Sequence, residues 1–175
     1  MRSRHRKSER SETAWSMDEG VTTSPHGMRP FGRSLPMALL RARESVMRGF
    51  RRQLRAHGLN EQEWRIIRAL VEIDQVEIGE LAERVFILKP SATRTIKNLQ
   101  ARGIVARNRS DKDQRRAFIS LTPQGRELFE TFAPESEREY ARITKLLGAD
   151  NMELLYELLG RVTTVLNEAS GANGR

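Results

Sequence analysis

Residues 86–121 constrain the fold of this chain more than any other stretch, because their pattern changes three times within 36 residues. Apolar residues first recur at helical spacing through Ile96 and Leu99, and a short strand, a charged turn and a second strand follow. The stretch contains nine Lys or Arg and two acids, so it carries +7 of the net charge of +8. A solvated face usually mixes charges of both signs, and this clustering therefore indicates a polyanionic partner.

The composition limits the class of protein. With 175 residues, 38% of them apolar and 31% charged, the chain suits one domain with helical arms. It has no Cys, which excludes disulfides and thiolate metal sites and favours a cytoplasmic location. No apolar run approaches the roughly 18 residues of a membrane span, and the charged N-terminus lacks the apolar stretch of a secretory signal. We therefore expect neither a membrane partner nor a resident metal or cofactor.

Five segments follow from the pattern along the chain. Residues 1–33 lack an apolar period and predict a disordered basic leader. Residues 34–57 predict an amphipathic N-terminal helix, and residues 58–121 predict a compact lobe. Residues 122–168 predict two apolar C-terminal helices, and residues 169–175 a frayed tail.

Single residues mark several helix ends. Asn60 suits an N-cap, and Glu63 occupies the position that can bond back to it. Thr122 suits an N-cap with Pro123 at the first helical position. Pro134 lies inside the helix that follows and predicts a kink or a split there.

The C-terminal helices carry more apolar residues than a small lobe can cover. The last helix alone carries Leu154, Leu155, Leu158, Leu159, Val162, Val165 and Leu166. A partner subunit is the natural cover for such a surface. The sequence therefore predicts a subunit interface that is formed by its N- and C-terminal helices.

The predicted helix at residues 90–102 has two different faces. At about 100° per residue, Ala92, Ile96, Leu99 and Gly103 share a narrow sector and predict a core face. The opposite face is cationic and has no acid, which is typical of the second helix of a helix-turn-helix that enters double-stranded DNA. The side chains expected to contact phosphates or base edges are Ser91, Thr93, Arg94, Lys97 and Asn98.

Two short strands, at residues 104–109 and 117–121, flank a charged turn and predict a hairpin wing. Its cations are expected to neutralise phosphates or to enter the minor groove, and Asp113 is expected to orient the guanidinium of Arg115. The predicted wing contacts are Arg107, Arg109, Lys112, Arg115 and Arg116. The predicted fold is therefore mainly α with a small β-wing, a winged helix-turn-helix.

The sequence offers no motif for catalysis. The histidines are scattered, and there is no Gly-rich phosphate loop, HExxH pair or nucleophile elbow. His57 is expected to end a helix, where a cation favours the helix dipole. We therefore expect a binding protein and no enzyme.

The order of elements and several motifs resemble the MarR family of dimeric winged-helix regulators. The spacing from Leu99 through Gly103 to Arg107, the pair Asp113 and Arg115, and the run Leu121-Thr122 before Gly125 carry the resemblance. The segments ALLRARESVMRGF, LNEQEWRIIRAL and DQRRAFISLT are most similar to the branch that regulates homoprotocatechuate and related aromatic-acid degradation operons.

The resemblance implies a homodimeric repressor that binds a pseudo-palindromic operator and is released by a small aromatic carboxylate. Arg43 in the ALLRARE segment is the first candidate for the carboxylate, since an Arg beside aromatic residues suits an aromatic acid. Phe50 and Trp64 are more often core residues, but they are candidates for the same pocket. The expected effector-binding residues are Arg43, Phe50, Trp64 and Arg68.

Two other functions remain open at this point. A nucleoid-type DNA binder without an effector would show weak sequence preference and binding that is independent of ligand. An adaptor that uses the same fold to bind a partner protein would need no DNA.

Overall fold

The computed structural model of the protein describes residues 27–109 and 117–172. It contains a short 3-10 helix at Phe31–Arg33, six α-helices and three β-strands within those ranges. The helices are α1 Leu35–Ala56, α2 Glu61–Glu72, α3 Ile78–Arg84, α4 Lys89–Ala101, α5 Pro123–Leu147 and α6 Ala149–Ala172. The strands are β1 Val76–Glu77, β2 Val105–Arg109 and β3 Ala117–Leu121. This mainly α fold with a small β-sheet confirms the predicted fold class.

The chain divides into two units, and the boundary between Arg43 and Glu44 falls inside α1. In the first unit, Arg41 donates a hydrogen bond of 3.1 Å from Nη2 to the carbonyl of Gly32. Residues 1–26 of the predicted leader lie outside the described residues. Phe31–Arg33 form a 3-10 helix, which the lack of an apolar period in the leader did not predict.

The predicted helix caps are present at α2 and α5. The Asn60 side chain accepts from the backbone N–H of Glu63, and the Glu63 carboxylate accepts from the backbone N–H of Asn60. This reciprocal pair satisfies donors that a helix start leaves open. Thr122 caps α5 by accepting from the Gly125 N–H at 3.0 Å.

The three strands form one antiparallel sheet in the order β1-β3-β2. β2 and β3 form the predicted hairpin, and Val105 pairs with Leu121 at its base. β1, which pairs Val76 with Ile119, was not predicted, because two residues are too short to show an alternating pattern. β1 places the segment before α3 against the wing.

The core lies where α2, α3, α4 and the sheet meet. The fully buried side chains include Ile66, Ile67 and Leu70 of α2, Leu81 of α3 and Leu99 of α4. Phe132 of α5 is buried against the same cluster. This core fixes the orientation of α4 from its inner side.

The sequence predicted a kink or a split at Pro134. The split is wrong, because α5 continues from Pro123 to Leu147 as one helix. Proline removes one N–H donor, yet the adjacent turns are held by the buried side chains of Phe132 and Ser136. Tertiary packing on both sides of Pro134 therefore outweighs the local cost. The last helix runs to Ala172, beyond the predicted end at residue 168.

The single chain leaves large apolar side chains exposed on both terminal helices. On α6 they are Leu154, Leu155, Tyr156, Leu158, Leu159, Val165 and Leu166, and on α1 they are Leu35, Leu39, Leu40 and Val46. Apolar rows of this length usually face another protein surface. Within the described ranges, no helix combines the length and apolar character needed to cross a membrane.

Candidate nucleic-acid interface and effector pocket

Helix α4 has the two faces that the sequence predicts. Ala92, Ile96 and Leu99 are buried, and Arg94 and Lys97 are exposed. The helix contains no acid, so the charged groups on its exposed face are all positive, and polar amide and hydroxyl groups lie among them. A face of this kind suits the phosphates and base edges of a DNA groove.

Two predicted contact residues near the start of α4 differ in accessibility. Thr93 is exposed, and its hydroxyl donates to the carbonyl of Lys89 at 2.9 Å. Ser91 is half-buried, and its carbonyl accepts from the hydroxyl of Thr95 at 2.9 Å. Thr93 is therefore the better placed of the two to meet a ligand.

Asn98 is exposed, but its amide already has a partner. Nδ2 donates at 2.7 Å to Oε1 of Glu63, which also accepts from Arg102 Nη1 at 3.1 Å. Glu63 is only 2% exposed, so one carboxylate closes the α2 cap and also holds α4. The sequence predicted the capping role of Glu63 but not its contacts with α4. The available signal was an acid directly beside Trp64 in a buried stripe.

The wing is described only at its base. Arg107 on β2 is exposed, as a phosphate contact requires. Arg109 ends β2, where it pairs with Ala117. The predicted contacts Lys112, Arg115 and Arg116, and the orienting residue Asp113, lie outside the described residues.

Aromatic residues of α2 and α5 form a second candidate site. The Trp64 ring stacks on Phe129 with centroids 5.6 Å apart and meets the edge of Phe132 at 4.4 Å. The guanidinium of Arg68 lies 5.9 Å from the Tyr140 ring centroid, and its Nη1 donates to the Tyr140 hydroxyl at 3.5 Å. These contacts place a cation beside an aromatic wall.

A cavity of about 110 Å³ opens beside Trp64 and Arg68. Its wall also includes Phe129, Ser136 and two acids, Glu72 and Glu137. The Ser136 hydroxyl is buried and has no hydrogen-bond partner in the described part of the chain. A cavity with aromatic walls, one cation, one hydroxyl and two carboxylates at its border can accept a small aromatic molecule that carries polar groups.

The remaining candidates for the effector pocket lie on α1. Phe50 is buried, and its ring centroid is 4.9 Å from that of Tyr140, so it belongs to the same aromatic group. Arg43 has an exposed side chain on the first half of α1. Tyr140, which was not among the predicted pocket residues, joins Phe50 to Arg68.

Ion pairs hold the helices around these sites. On α5 the carboxylate of Glu139 accepts from Arg142 at 2.7 and 3.0 Å, and these hydrogen bonds lower the pKa of Glu139. The carboxylates of Glu44 on α1 and Glu61 on α2 raise the pKa of Arg51, which lies on α1. His57 was predicted to end a helix. Its Nε2 lies 3.2 Å from a carboxylate oxygen of Glu135, and its ring makes an edge contact with Phe132.

Among the described residues, no group of three His, Asp or Glu could hold a metal ion.

Comparisons with known proteins agree on one kind of protein. A model described as MarR family matches residues 57–116. The homoprotocatechuate degradative operon repressor of Escherichia coli is 39% identical over 126 residues, which are 72% of this chain and 85% of that protein. The HTH-type transcriptional regulator FarR of Neisseria gonorrhoeae is 36% identical over 132 residues, which are 75% of this chain and 90% of that protein.

A solved structure with a bound ligand is similar over most of the chain. NadR in complex with 4-hydroxyphenylacetate has a TM-score of 0.66 and 36% identity. The similarity covers 77% of this chain and 96% of that chain.

Proposed function

The chain belongs to the MarR family of transcriptional regulators, and we propose that it represses genes for the degradation of an aromatic compound. In this proposal a small aromatic acid binds the protein and releases it from its operator. The E. coli relative is by name a repressor of such an operon, and NadR was solved with an aromatic acid. The protein acts on DNA in the cytoplasm.

The exposed face of α4 is the observation that carries the DNA-binding part. Arg94 and Lys97 point away from the core formed by Ala92, Ile96 and Leu99, and no acid on α4 offsets their charge. Arg94 suits a bidentate contact with guanine, and Lys97 suits a phosphate. Thr93 adds an exposed hydroxyl on the same helix, and Arg107 adds one more exposed cation, on the wing.

The exposed apolar rows support a homodimer. Burying leucines such as Leu155 and Leu158 against a second copy would remove a large apolar surface from water. A two-fold dimer presents two α4 helices, and a spacing of about 34 Å would match successive major grooves. The operator is therefore a pseudo-palindrome with one half-site per subunit.

The effector part rests on Arg68 and the aromatic residues around it. Arg68 supplies the cation for a carboxylate, and Trp64 and Phe129 supply apolar walls for a ring. The Ser136 hydroxyl supplies an unused polar group for a ring substituent. Arg43 remains a candidate for the carboxylate because of its place in the ALLRARE segment.

A ligand lowers DNA affinity only if it prefers a form of the dimer that does not fit the operator. Helix α2 offers a route for this preference, because it carries Trp64 and Arg68 at the cavity and Glu63 at α4. A shift of α2 on ligand binding would move the anchor of the recognition helix.

The proposal is tested by selecting an operator from a randomised duplex pool and measuring the affinity of the full chain by fluorescence anisotropy. Replacing both Arg94 and Lys97 with Ala should weaken binding by about tenfold or more, since the base contact of Arg94 contributes about 1–3 kcal/mol and the phosphate contact of Lys97 is lost as well. The matched control, Arg161→Ala, removes an exposed cation from α6 and should bind nearly as wild type. Equal losses in both proteins would refute α4 as the reading helix.

A further inference from the structure

The turn between α3 and α4 ends α3 in an unusual way. The Ile87 N–H donates to the carbonyl of Ala82 at 2.9 Å, and the Phe86 N–H donates to that of Glu83 at 3.1 Å. This pair of bonds defines a Schellman motif, in which the residue after the cap adopts a left-handed conformation. That residue is Phe86, with φ of 52°.

Glycine usually occupies this position, because a Cβ makes the left-handed conformation unfavourable. The chain follows that rule at Gly58 and Gly103, which both have positive φ and the same pair of hydrogen bonds. Among the described residues, Phe86 is the only residue other than glycine with positive φ. The backbone therefore carries a local cost at Phe86.

The Phe86 side chain gains nothing from the fold in return. It is 88% exposed, and Leu88 at the N-cap of α4 is 79% exposed. Ile87 between them is buried in the core and anchors the turn. On α2, Arg65 donates from Nη1 to the carbonyl of Val85 at 2.7 Å, which further fixes the turn. Two large apolar side chains are thus exposed on a turn whose backbone is fixed by hydrogen bonds.

We propose that Phe86 and Leu88 form an apolar contact with thymine methyl groups in the major groove of the operator. They immediately precede the first turn of α4, and this is the part of a recognition helix that reaches base edges. The thymine C5-methyl is the apolar group that the major groove offers, and Phe is among its known contacts. The inference rests on the proposed DNA-binding function and adds a source of sequence preference to it.

The charges around the turn favour DNA over a protein partner. Exposed cations follow within α4 at Arg94 and Lys97, and Lys89 pairs with Glu83 at 3.7 Å. An apolar contact next to the cationic face of α4 suits a groove that has phosphates along its walls and thymine methyl groups on its floor. The hydrogen-bonded backbone at Phe86 fixes the direction of its Cα–Cβ bond before binding, so little backbone freedom is lost on contact.

The experiment replaces each thymine of the selected operator, one at a time, with uracil, which lacks only the methyl group. Wild-type affinity should fall by about three- to tenfold at one or more positions in each half-site. Phe86→Gly should bind the thymine duplex with a similar loss and should no longer distinguish it from the uracil duplex. Phe86→Leu, which keeps an apolar side chain, should retain part of the discrimination, and Leu88→Ala should reduce it.

Stability separates this role from a structural one. Phe86→Gly removes the conformational cost, so its Tm should equal or exceed that of the wild type even though its operator affinity is lower. The proposal is overturned if uracil at every position leaves the affinity of the wild type unchanged. It is also overturned if uracil lowers the affinity of Phe86→Gly as much as that of the wild type. It is also overturned if Phe86→Gly changes the oligomeric state of the free protein in sedimentation, since the ring would then be a subunit contact. If wild type selects no operator at all, the proposed function itself fails.

Discussion

The amide of Asn98 on α4 donates a hydrogen bond of 2.7 Å to the carboxylate of Glu63 on α2. The same carboxylate accepts from Arg102 at 3.1 Å and from the backbone N–H of Asn60 at 2.9 Å. Glu63 is 2% exposed, so these donors replace the water that the carboxylate loses on folding. One buried acid therefore sets the start of α2 and fixes α4 against it.

Replacing Glu63 with Ala should destabilise the protein by about 2 kcal/mol, because the variant loses the capping-box acceptor and the hydrogen bonds from Asn98 and Arg102. Glu63→Gln should cost less, since an amide oxygen can still accept in the capping box. Both changes are measured from the free energy of unfolding in urea at fixed protein concentration.

Glu83→Ala is the matched control, because its carboxylate is 76% exposed and pairs with Lys89 at 3.7 Å. Surface pairs of this kind contribute little to stability. If Glu63→Ala unfolds at the same urea concentration as this control, the buried network does not hold α4.

Local patterns predicted the parts of the site that lie within one element. The helical period separated Ala92 and Leu99 from Arg94, and the cap at Asn60 followed from residue types three positions apart. Each of these features depends on backbone geometry that repeats within a few residues. The hairpin strands followed in the same way.

Local sequence patterns could not predict the contacts between elements that are distant in the chain. Glu63 meets Asn98 across 35 positions, and Arg68 meets Tyr140 across 72. The local rule for Pro134 predicted a kink or a split, but α5 is not split there, because its packing around Phe132 stabilises the helix. Such contacts depend on how whole helices pack, which no single segment specifies.

Arg68 leads to a prediction about the effector. With 4-hydroxyphenylacetate as the probe, Arg68→Met should weaken the ligand-induced loss of operator affinity, so that roughly ten- to a hundredfold more ligand is needed. The reason is the loss of charge-assisted hydrogen bonds to the carboxylate. Operator affinity without ligand should stay near that of wild type, and both quantities are read from anisotropy titrations.

Two further variants decide between the candidate cations. Arg138→Met removes an exposed cation from α5 and should respond to the probe as wild type does. Arg43→Ala tests the other predicted carboxylate ligand. A normal response from Arg68→Met together with a lost response from Arg43→Ala would assign the carboxylate to Arg43.

Gly125 in the first turn of α5 tests the packing of the wing base. A Cβ built there would lie 2.2 Å from the carbonyl oxygen of Ile104 and 2.9 Å from Cδ2 of Leu121. Because the Ile104 oxygen belongs to the backbone, it cannot move without shifting the base of the wing. Gly125→Ala should therefore lower the free energy of unfolding by about 2 kcal/mol or more.

Gly160→Ala is the control for Gly125→Ala. Nothing in the described part of the chain lies within 4 Å of a Cβ built at Gly160, which is inside α6. Alanine favours a helix interior over glycine by up to about 1 kcal/mol, so this variant should be as stable as wild type or more stable. The two variants are compared at equal protomer concentration, because dimerisation contributes to stability. A Gly125→Ala protein as stable as Gly160→Ala would contradict the close approach to Ile104.

Glu139 should make stability depend on pH. Hydrogen bonds from Arg142 are the main cause that lowers its pKa, the charges of Arg142 and Arg52 add to it, and burial opposes them. A carboxylate whose pKa is lower in the folded state stabilises the fold at pH values above its ordinary pKa, and this contribution is lost as the pH falls through the lowered value. Glu139→Gln should therefore have a lower Tm than wild type at neutral pH, and the difference should shrink as the pH falls from about 7 to about 3.

Glu130→Gln, at an exposed position on the same helix, is the control and should show a small Tm difference from wild type over that whole range. A constant gap between wild type and Glu139→Gln would mean that the charge of Glu139 does not stabilise the fold.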